Sequence, residues 1–339
     1  NRKSGYESVV PLGGEMARGT TIKGKAFEYA TCCAFATYLI GKKVAVDCEI
    51  NSDAYRTAKR SFESLDESTQ RDYRAAAEAS IDVIIPLEPK LTDLSDCSPL
   101  RIRIQTDAQG QQGDVRDIVL ARPQDDWEIG ISCKHNHEAL KHPRVTKDAD
   151  FGSDWIGTPC SDHFLNEVAS TMALVEKHVG EKWDALPKKH ERVYIPILDA
   201  YIAEIARLCE VDPEAPSKLL AYFFGHEDFY KVIAMDRRVG QQSGLTKTMA
   251  FNMHGTLGKA SGSARPIRSL KKVLLPDKLI TIGRKDNSNT TIEIVLSKGW
   301  VVKMRLHSAD KAIKTTGLKW DVTLAGMPTD IYMQERTWE

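Results

Sequence analysis

The sequence contains no pair of cysteines at the C-x-x-C spacing, which is the usual mark of a zinc knuckle or a redox centre. Its seven cysteines are an odd number, so a disulfide framework is not indicated either. Several of them lie in apolar runs, where cysteine behaves as a small buried hydrophobic residue. This usage fits a reducing compartment, and we expect a cytoplasmic protein.

Long apolar runs and a charge bias are also missing. No run of about 18 apolar residues is present, so we expect no transmembrane helix, and the N-terminus does not resemble a signal peptide. The 47 Lys and Arg residues balance 47 Asp and Glu residues. This balance excludes binding of nucleic acid through a general positive charge, so any DNA-binding surface has to be a local patch.

Near the middle of the chain stand two short apolar runs, at residues 118–121 and 129–133. A polar turn over residues 122–126 joins them, which predicts a β-hairpin. The composition of the whole chain, 339 residues of which 42% are hydrophobic, is typical of a globular protein. A chain of this length can bury a substantial core.

Two charged residues flank the predicted hairpin: Asp117 precedes its first strand and Lys134 follows its second. Side chains alternate along a strand, so Lys134 shares a face with Ser132 and Glu128. A carboxylate and a lysine on neighbouring strands can hold a divalent cation and an attacking water against a phosphodiester. The alternative is that both charges are simply solvated strand ends.

The segment after Lys134 favours the chemical interpretation, because it is dense in groups that can contact phosphate or bases. These candidate DNA-binding residues are His135, Asn136, His137, Lys141, His142 and Arg144. The adjacent triplet His-Asn-His is not the HNH nuclease motif, which spreads its residues over a ββα unit.

The pattern of Asp117 followed by Ser132-Cys133-Lys134 resembles the PD-(D/E)xK nuclease core. More narrowly, GDVRDIVL, WEIGISCKHNHEALKHPR and LKWDVTLAGMP resemble the HaeIII-type restriction endonucleases, from about Lys23 to the C-terminus. The resemblance implies a type II enzyme that uses Mg²⁺ to cut double-stranded DNA, with GGCC as its target and cutting between G and C. It also implies a cognate DNA methyltransferase as a genetic partner, and a homodimer is an open alternative to a monomer.

One departure from the superfamily pattern concerns the metal. Ser132 stands where an acid two residues before the lysine is expected, so the second metal-binding carboxylate has to come from elsewhere. Glu28, on the first predicted helix, is the first candidate, although it is equally well explained as a partly exposed helix residue. Asp114 is the second candidate and Glu128 the third.

The predicted fold class is α/β, an α+β mixed sheet with a restriction-endonuclease-like core and helices packed on the sheet. We expect a flexible N-terminal extension over residues 1–22 and a helix from Lys23 to Gly41, closed by that glycine. The nuclease core with its flanking helices would span residues 23–245. Short alternating segments separated by turns predict a β-rich, DNA-gripping region over residues 246–339.

Between Lys259 and Lys285, eight Lys or Arg residues accompany a single Asp. This composition predicts either a DNA-backbone patch on a mobile loop or an ordinary solvated loop. The candidate contacts are Arg265, Arg268, Lys271 and Lys272.

Two other functions remain open at this point. Ser132 in place of the acid favours a DNA-binding protein of nuclease fold that has lost catalysis, whereas Asp117 and Lys134 speak against it. A nuclease for damaged or structured DNA is the third possibility.

Overall fold

The computed structural model describes residues 12–95, 98–106, 114–136, 138–237 and 242–339. Among these residues, no helix has the length and apolar character needed to cross a bilayer. Two β-sheets and six α-helices of eight or more residues organise the described chain. The predicted fold class, a mixed sheet with helices packed on it, is confirmed.

The larger sheet has seven strands in the order β1-β2-β3-β4-β5-β6-β11. Its strands are Val46–Cys48 (β1), Leu100–Ile104 (β2), Ile118–Arg122 (β3), Trp127–His135 (β4), Phe229–Met235 (β5), Gly244–Phe251 (β6) and Tyr332–Trp338 (β11). β4 and β5 are parallel, as are β1 and β2, while the other pairs are antiparallel.

The predicted hairpin is confirmed as β3 and β4. Ile118 pairs with Ile131 and Arg122 with Trp127, so the two strands are joined by residues 123–126. Pro123 starts this turn, and Asp126 ends it in the left-handed conformation with φ 49°. Aspartate tolerates that conformation better than most residues, which is why the chain can reverse here.

Three helices cover one face of the large sheet: Leu12–Gly41 (α1), Asp53–Glu63 (α2) and Glu67–Ile84 (α3). Ser52 and Asp66 cap α2 and α3 by accepting hydrogen bonds from the first-turn N–H groups of Tyr55 and Thr69. The apolar sides of these helices and the inner face of the sheet form one continuous core. α1 begins at Leu12, eleven residues before the predicted start at Lys23.

The opposite face of the sheet packs against three further helices and the second sheet. The helices are Asp162–Glu176 (α4), Ile195–Val211 (α5) and Ala215–Phe224 (α6). The second sheet is antiparallel, in the order β10-β9-β8-β7, with strands Leu279–Arg284 (β7), Thr291–Leu296 (β8), Val301–Ser308 (β9) and Leu318–Gly326 (β10). Together they form a second core that includes Trp300 and Trp320.

The last strands show where alternation along the sequence is a poor guide. β6, Gly244–Phe251, begins two residues before the predicted start of the β-rich region at residue 246. β6 lies between β5 and β11, and its last four residues, 248–251, are all buried, so this half of the strand does not alternate between buried and exposed residues. β11 then returns to the large sheet, while β7 to β10 form a sheet of their own.

Candidate active site and nucleic-acid cleft

Asp117 and Lys134 meet at one end of the β3–β4 hairpin. Asp117 Oδ2 accepts a hydrogen bond from Lys134 Nζ at 3.3 Å and from the backbone N–H of Cys133 at 2.7 Å. The Asp117 N–H donates to the carbonyl of Ile131 at 2.8 Å, which fixes the residue against β4. The two side chains remain 22% and 27% exposed, so solvent and a ligand can reach the pair.

The hydroxyl of Ser132 lies beside this pair. Ser132 is buried, and its Oγ donates to Asp117 Oδ2 at 3.3 Å. A neutral hydroxyl at this position orients Asp117 but adds no negative charge for a cation.

Glu28 lies in the buried stretch of α1 and belongs electrostatically to the same site. Burial, followed by the negative charge of Asp117, raises the pKa of Glu28 from 4.5 to about 8. Lys25, whose Nζ lies 3.1 Å from Glu28 Oε2, and Lys134 oppose this increase. The interaction with both Asp117 and Lys134 shows that α1 brings Glu28 close to the hairpin end.

Lys134 is held in its charged form by these neighbours. Burial acts to lower the pKa of its ammonium group, but the charges of Asp117 and Glu28 outweigh burial and raise the pKa above its ordinary value. The site therefore offers a permanent positive charge beside two carboxyl groups.

The donor set fits a divalent cation of the Mg²⁺ type. Mg²⁺ needs only one or two protein carboxylates, with water and phosphate oxygens completing its shell. Asp117 and Glu28 repel each other, and a cation between them would relieve the repulsion that helps to raise the pKa of Glu28. In the described part of the chain, no group of three or more His, Cys, Asp or Glu side chains is arranged around a common metal position.

The two other candidate carboxylates are both bound to one arginine. Arg116 Nη2 lies 2.8 Å from Asp114 Oδ2, and Arg116 Nη1 lies 2.6 Å from Glu128 Oε1. Gln105 donates a further hydrogen bond to Asp114 at 2.7 Å. Burial acts to raise the pKa of Asp114, but the hydrogen bonds with Arg116 and Gln105 lower it below its ordinary value. The second and third candidates for the metal-binding acid are therefore already engaged by Arg116.

The residues directly after β4 are engaged with the end of β5. His135 Nε2 lies 2.7 Å from Asp236 Oδ1, and Asn136 Nδ2 donates to Asp236 Oδ2 at 2.6 Å. Asn136 has φ 51°, and its Oδ1 accepts from the Asp236 N–H at 2.9 Å. These contacts build a turn, and any contact of His135 and Asn136 with DNA stays a prediction. His137 lies outside the described residues.

Beyond this turn, the chain runs along the second sheet. The N–H of Leu140 donates to Val322 at 2.8 Å, and the N–H of Trp320 donates to Pro143 at 2.8 Å. β10 thereby fixes the segment that carries Lys141, His142 and Arg144.

A cleft of about 910 Å³ lies between this segment and the candidate active site. Its lining includes six basic residues and two acidic ones: Lys25, Arg116, Lys141, His142, Arg144, Lys319, Asp114 and Asp117. Three of the residues predicted to bind DNA, Lys141, His142 and Arg144, are thus brought to the Asp117 site. Positive charge concentrated in one cleft suits a phosphate backbone, although the chain has no net charge.

Some cleft residues already have partners within the protein. Lys141 Nζ lies 3.5 Å from the centre of the Tyr222 ring, and burial lowers the pKa of Lys141 to about 8. Arg144 Nη1 donates to the carbonyl of Thr316 at 2.5 Å. Lys319 of β10 was not predicted, because its neighbour in the cleft, Arg144, is distant in the sequence.

The basic loop predicted from composition lies elsewhere. Its Ile267 N–H donates to the carbonyl of Pro86 at 2.8 Å, Arg268 lies over the Tyr332 ring and Lys271 pairs with Asp330 at 2.9 Å. The loop follows the last residue of β6, which pairs with the first residue of β5. Lys134 lies near the last residue of β4, and β4 runs parallel to β5, so Lys134 is at the opposite end of these strands. The structure therefore does not bring this loop, including Arg265 and Lys272, to the Asp117 site, and its contact with DNA stays a prediction.

Comparison with known proteins covers nearly the whole chain. The profile of the family described as HaeIII restriction endonuclease matches residues 24–328. The type II restriction enzyme HaeIII of Haemophilus aegyptius is 33% identical over 327 residues, which is 96% of this chain and 100% of that relative. No solved structure matches the chain. The similarity spans the cleft and all the residues that form the candidate active site.

Proposed function

The chain belongs to the HaeIII restriction endonuclease family, and we propose that it hydrolyses phosphodiester bonds of double-stranded DNA with Mg²⁺ at GGCC sites. The family confirms the resemblance read from the sequence and makes the protein a type II restriction endonuclease. The metal and the target are our proposals. The target follows from the family resemblance, and the cut is proposed between G and C.

The observation that carries the chemistry is the convergence of Asp117, Lys134 and Glu28 at the end of the β3–β4 hairpin. Asp117 and Glu28 would hold the cation. When bound, Mg²⁺ would stabilise the negative charge that develops on the phosphoryl oxygens. Asp114 and Glu128 are less suited, because Arg116 already pairs with both.

Lys134 would act on the attacking water and on the phosphate. Its ammonium group is kept charged by Asp117 and Glu28, so it serves to orient the water and to oppose charge on the phosphate, rather than to accept a proton. Ser132 would keep Asp117 in place through its hydrogen bond.

The basic cleft would hold the phosphate backbone next to these groups. Lys319, Arg144 and Lys25 stand on different elements around the cleft, so they can contact phosphates on both sides of the bond that is cut. GGCC reads the same on both strands, and a homodimer would place one site at each strand. A cognate methyltransferase would protect the host DNA.

Incubating plasmid DNA with the protein, once with Mg²⁺ and once with EDTA, tests the proposal. We expect discrete fragments with ends at GGCC in Mg²⁺ and intact plasmid in EDTA. A smear would indicate a non-specific nuclease. Binding without cutting would indicate the catalytically inactive DNA-binding protein, and preference for nicked or branched DNA would indicate a nuclease for damaged or structured DNA.

A further inference from the structure

Two thiols from different elements touch at the edge of the large sheet. Cys32 Sγ, on α1, lies 3.7 Å from Cys48 Sγ, on β1. Both cysteines are free, Cys32 is fully buried and Cys48 is half-buried. A small oxidant can thus reach Cys48, while Cys32 is buried next to it.

The structure around Cys48 allows the two sulfurs to come closer. A disulfide has a sulfur–sulfur distance of about 2.05 Å, so the contact has to shorten. β1 has three residues, and among the strands that the structure describes it forms the edge of the sheet and pairs with β2 alone. A short edge strand can shift further than α1, which is packed across the sheet and against α2 and α3.

We propose that Cys32 and Cys48 form a peroxide-reactive thiol pair that closes to an intramolecular disulfide. The crosslink ties β1 to α1, which carries Glu28 one turn before Cys32. Because β1 takes up the movement, Glu28 stays in place. The modification is independent of the DNA-cleavage proposal.

The chemistry starts at Cys48. The hydrogen bond with Cys32 lowers the pKa of the Cys48 thiol, while the same hydrogen bond and burial raise that of Cys32. The thiolate of Cys48 attacks one peroxide oxygen; an S–O bond forms, the O–O bond breaks and hydroxide leaves, taking up the proton that Cys48 has lost. The sulfur of Cys32 then attacks the sulfur of Cys48, the S–O bond breaks, and the departing hydroxide takes the Cys32 proton. Two thiols are oxidised, and one peroxide is reduced to two waters.

Competing pairs are less favourable. Cys133 is buried on β4, the central strand of the large sheet, Cys160 accepts a hydrogen bond from the N–H of Gly152, and Cys209 is on α5 in the other core. Among the described cysteines, the Cys32–Cys48 contact is the one thiol–thiol hydrogen bond.

The test is to treat the full chain with hydrogen peroxide, block remaining thiols, and map the peptides by mass spectrometry. We expect one crosslink, between Cys32 and Cys48, reversed by dithiothreitol. The crosslink should raise the unfolding temperature by a few degrees. If the protein cleaves plasmid DNA, the cleavage rate should change by less than about twofold, because Glu28 is not displaced.

Two variants complete the experiment. Cys48→Ser should lose both the crosslink and the rise in unfolding temperature, whereas Cys209→Ser, a partly exposed cysteine in the other core, should keep both. Oxygen addition without a crosslink, or a crosslink between other cysteines, would overturn the proposal. A crosslink that abolishes cleavage would overturn the claim that β1 takes up the movement.

Discussion

The side chain of Arg116 fills the space over Gly130, so that a Cβ atom at residue 130 would lie 1.9 Å from Arg116 Cδ. From this position, Arg116 binds Asp114 and Glu128. A glycine in the middle of β4 thus makes room for the arginine that pairs with two carboxylates close to the site. Asp117 and Glu28 are then the candidate acids still suited to a cation.

Gly130→Ala should therefore disturb the site without touching a reacting group. The new methyl group has to displace Arg116, which frees two carboxylates beside the cleft and shifts the end of the hairpin. We expect plasmid cleavage to fall by about tenfold or more. Gly283→Ala is the matched control, since a Cβ on that β7 glycine meets nothing within 4 Å. Equal activity of the two variants would show that Arg116 can move without consequence.

Lys134→Ala should abolish cleavage while DNA affinity stays within a few-fold, because the proposed role of Lys134 is in the transition state. Asp117→Asn should also abolish cleavage, and extra Mg²⁺ or Mn²⁺ should rescue it only weakly. Cleavage and filter binding are measured on the same plasmid, with Lys303→Ala in the second sheet as the control. Cleavage near the wild-type rate by Lys134→Ala would remove this lysine from the mechanism.

The salt dependence of DNA binding separates the cleft from the basic loop. Replacing Lys319 and Arg144 with Ala should lower the slope of log K against log salt by roughly 0.9 for each lost phosphate contact. The triple replacement of Arg268, Lys271 and Lys272 should leave the slope unchanged, because this loop lies at the other end of the sheet. A flattened slope for the triple variant would support the composition-based prediction that the loop grips DNA.

A buried carboxyl group outside the site predicts how stability changes with pH. Burial raises the pKa of Glu88 from 4.5 to about 7, although its Oε1 accepts hydrogen bonds from Tyr230 and from the Gly258 N–H. Between pH 4.5 and about 7, Glu88 keeps its proton in the folded protein but loses it in the unfolded chain. The stability of the folded protein therefore falls as the pH rises through this range.

Glu88→Gln removes this titration and keeps an oxygen acceptor. Its unfolding temperature should fall less than that of the wild type between about pH 5 and pH 8. The exposed Glu210→Gln serves as the control and should follow the wild type. If the unfolding temperature of Glu88→Gln depends on pH as steeply as that of the wild type, or more steeply, Glu88 does not cause the pH dependence.

Local patterns in the sequence predicted the hairpin and the neighbouring positions of Asp117 and Lys134, because both depend on alternation and on a turn joining adjacent strands. Glu28 was predicted as the first candidate for a missing acid, and the structure places it in electrostatic contact with that pair. Its role as a ligand stays a prediction.

Long-range packing could not be predicted in the same way. Arg116 next to Asp117 looks like an ordinary charged residue until its position over Gly130 is known. Lys319 joins the cleft only because β10 pairs with the segment after β4. The position of the basic loop could not be predicted either, because it depends on the pairing of β5 with β6, which puts the loop at the other end of the sheet from Lys134.

We propose that α1 supplies, through Glu28, the carboxylate that Ser132 cannot, and the cleavage rates of Glu28→Gln and Glu128→Gln at fixed Mg²⁺ decide between α1 and β4. Glu28→Gln should reduce cleavage by roughly a hundredfold or more, because one of two cation ligands is lost, while circular dichroism shows an intact fold. Glu128→Gln should reduce cleavage much less, since Glu128 is bound to Arg116. The reverse order of the two rates would place the acid on β4 and exclude Glu28 as the ligand.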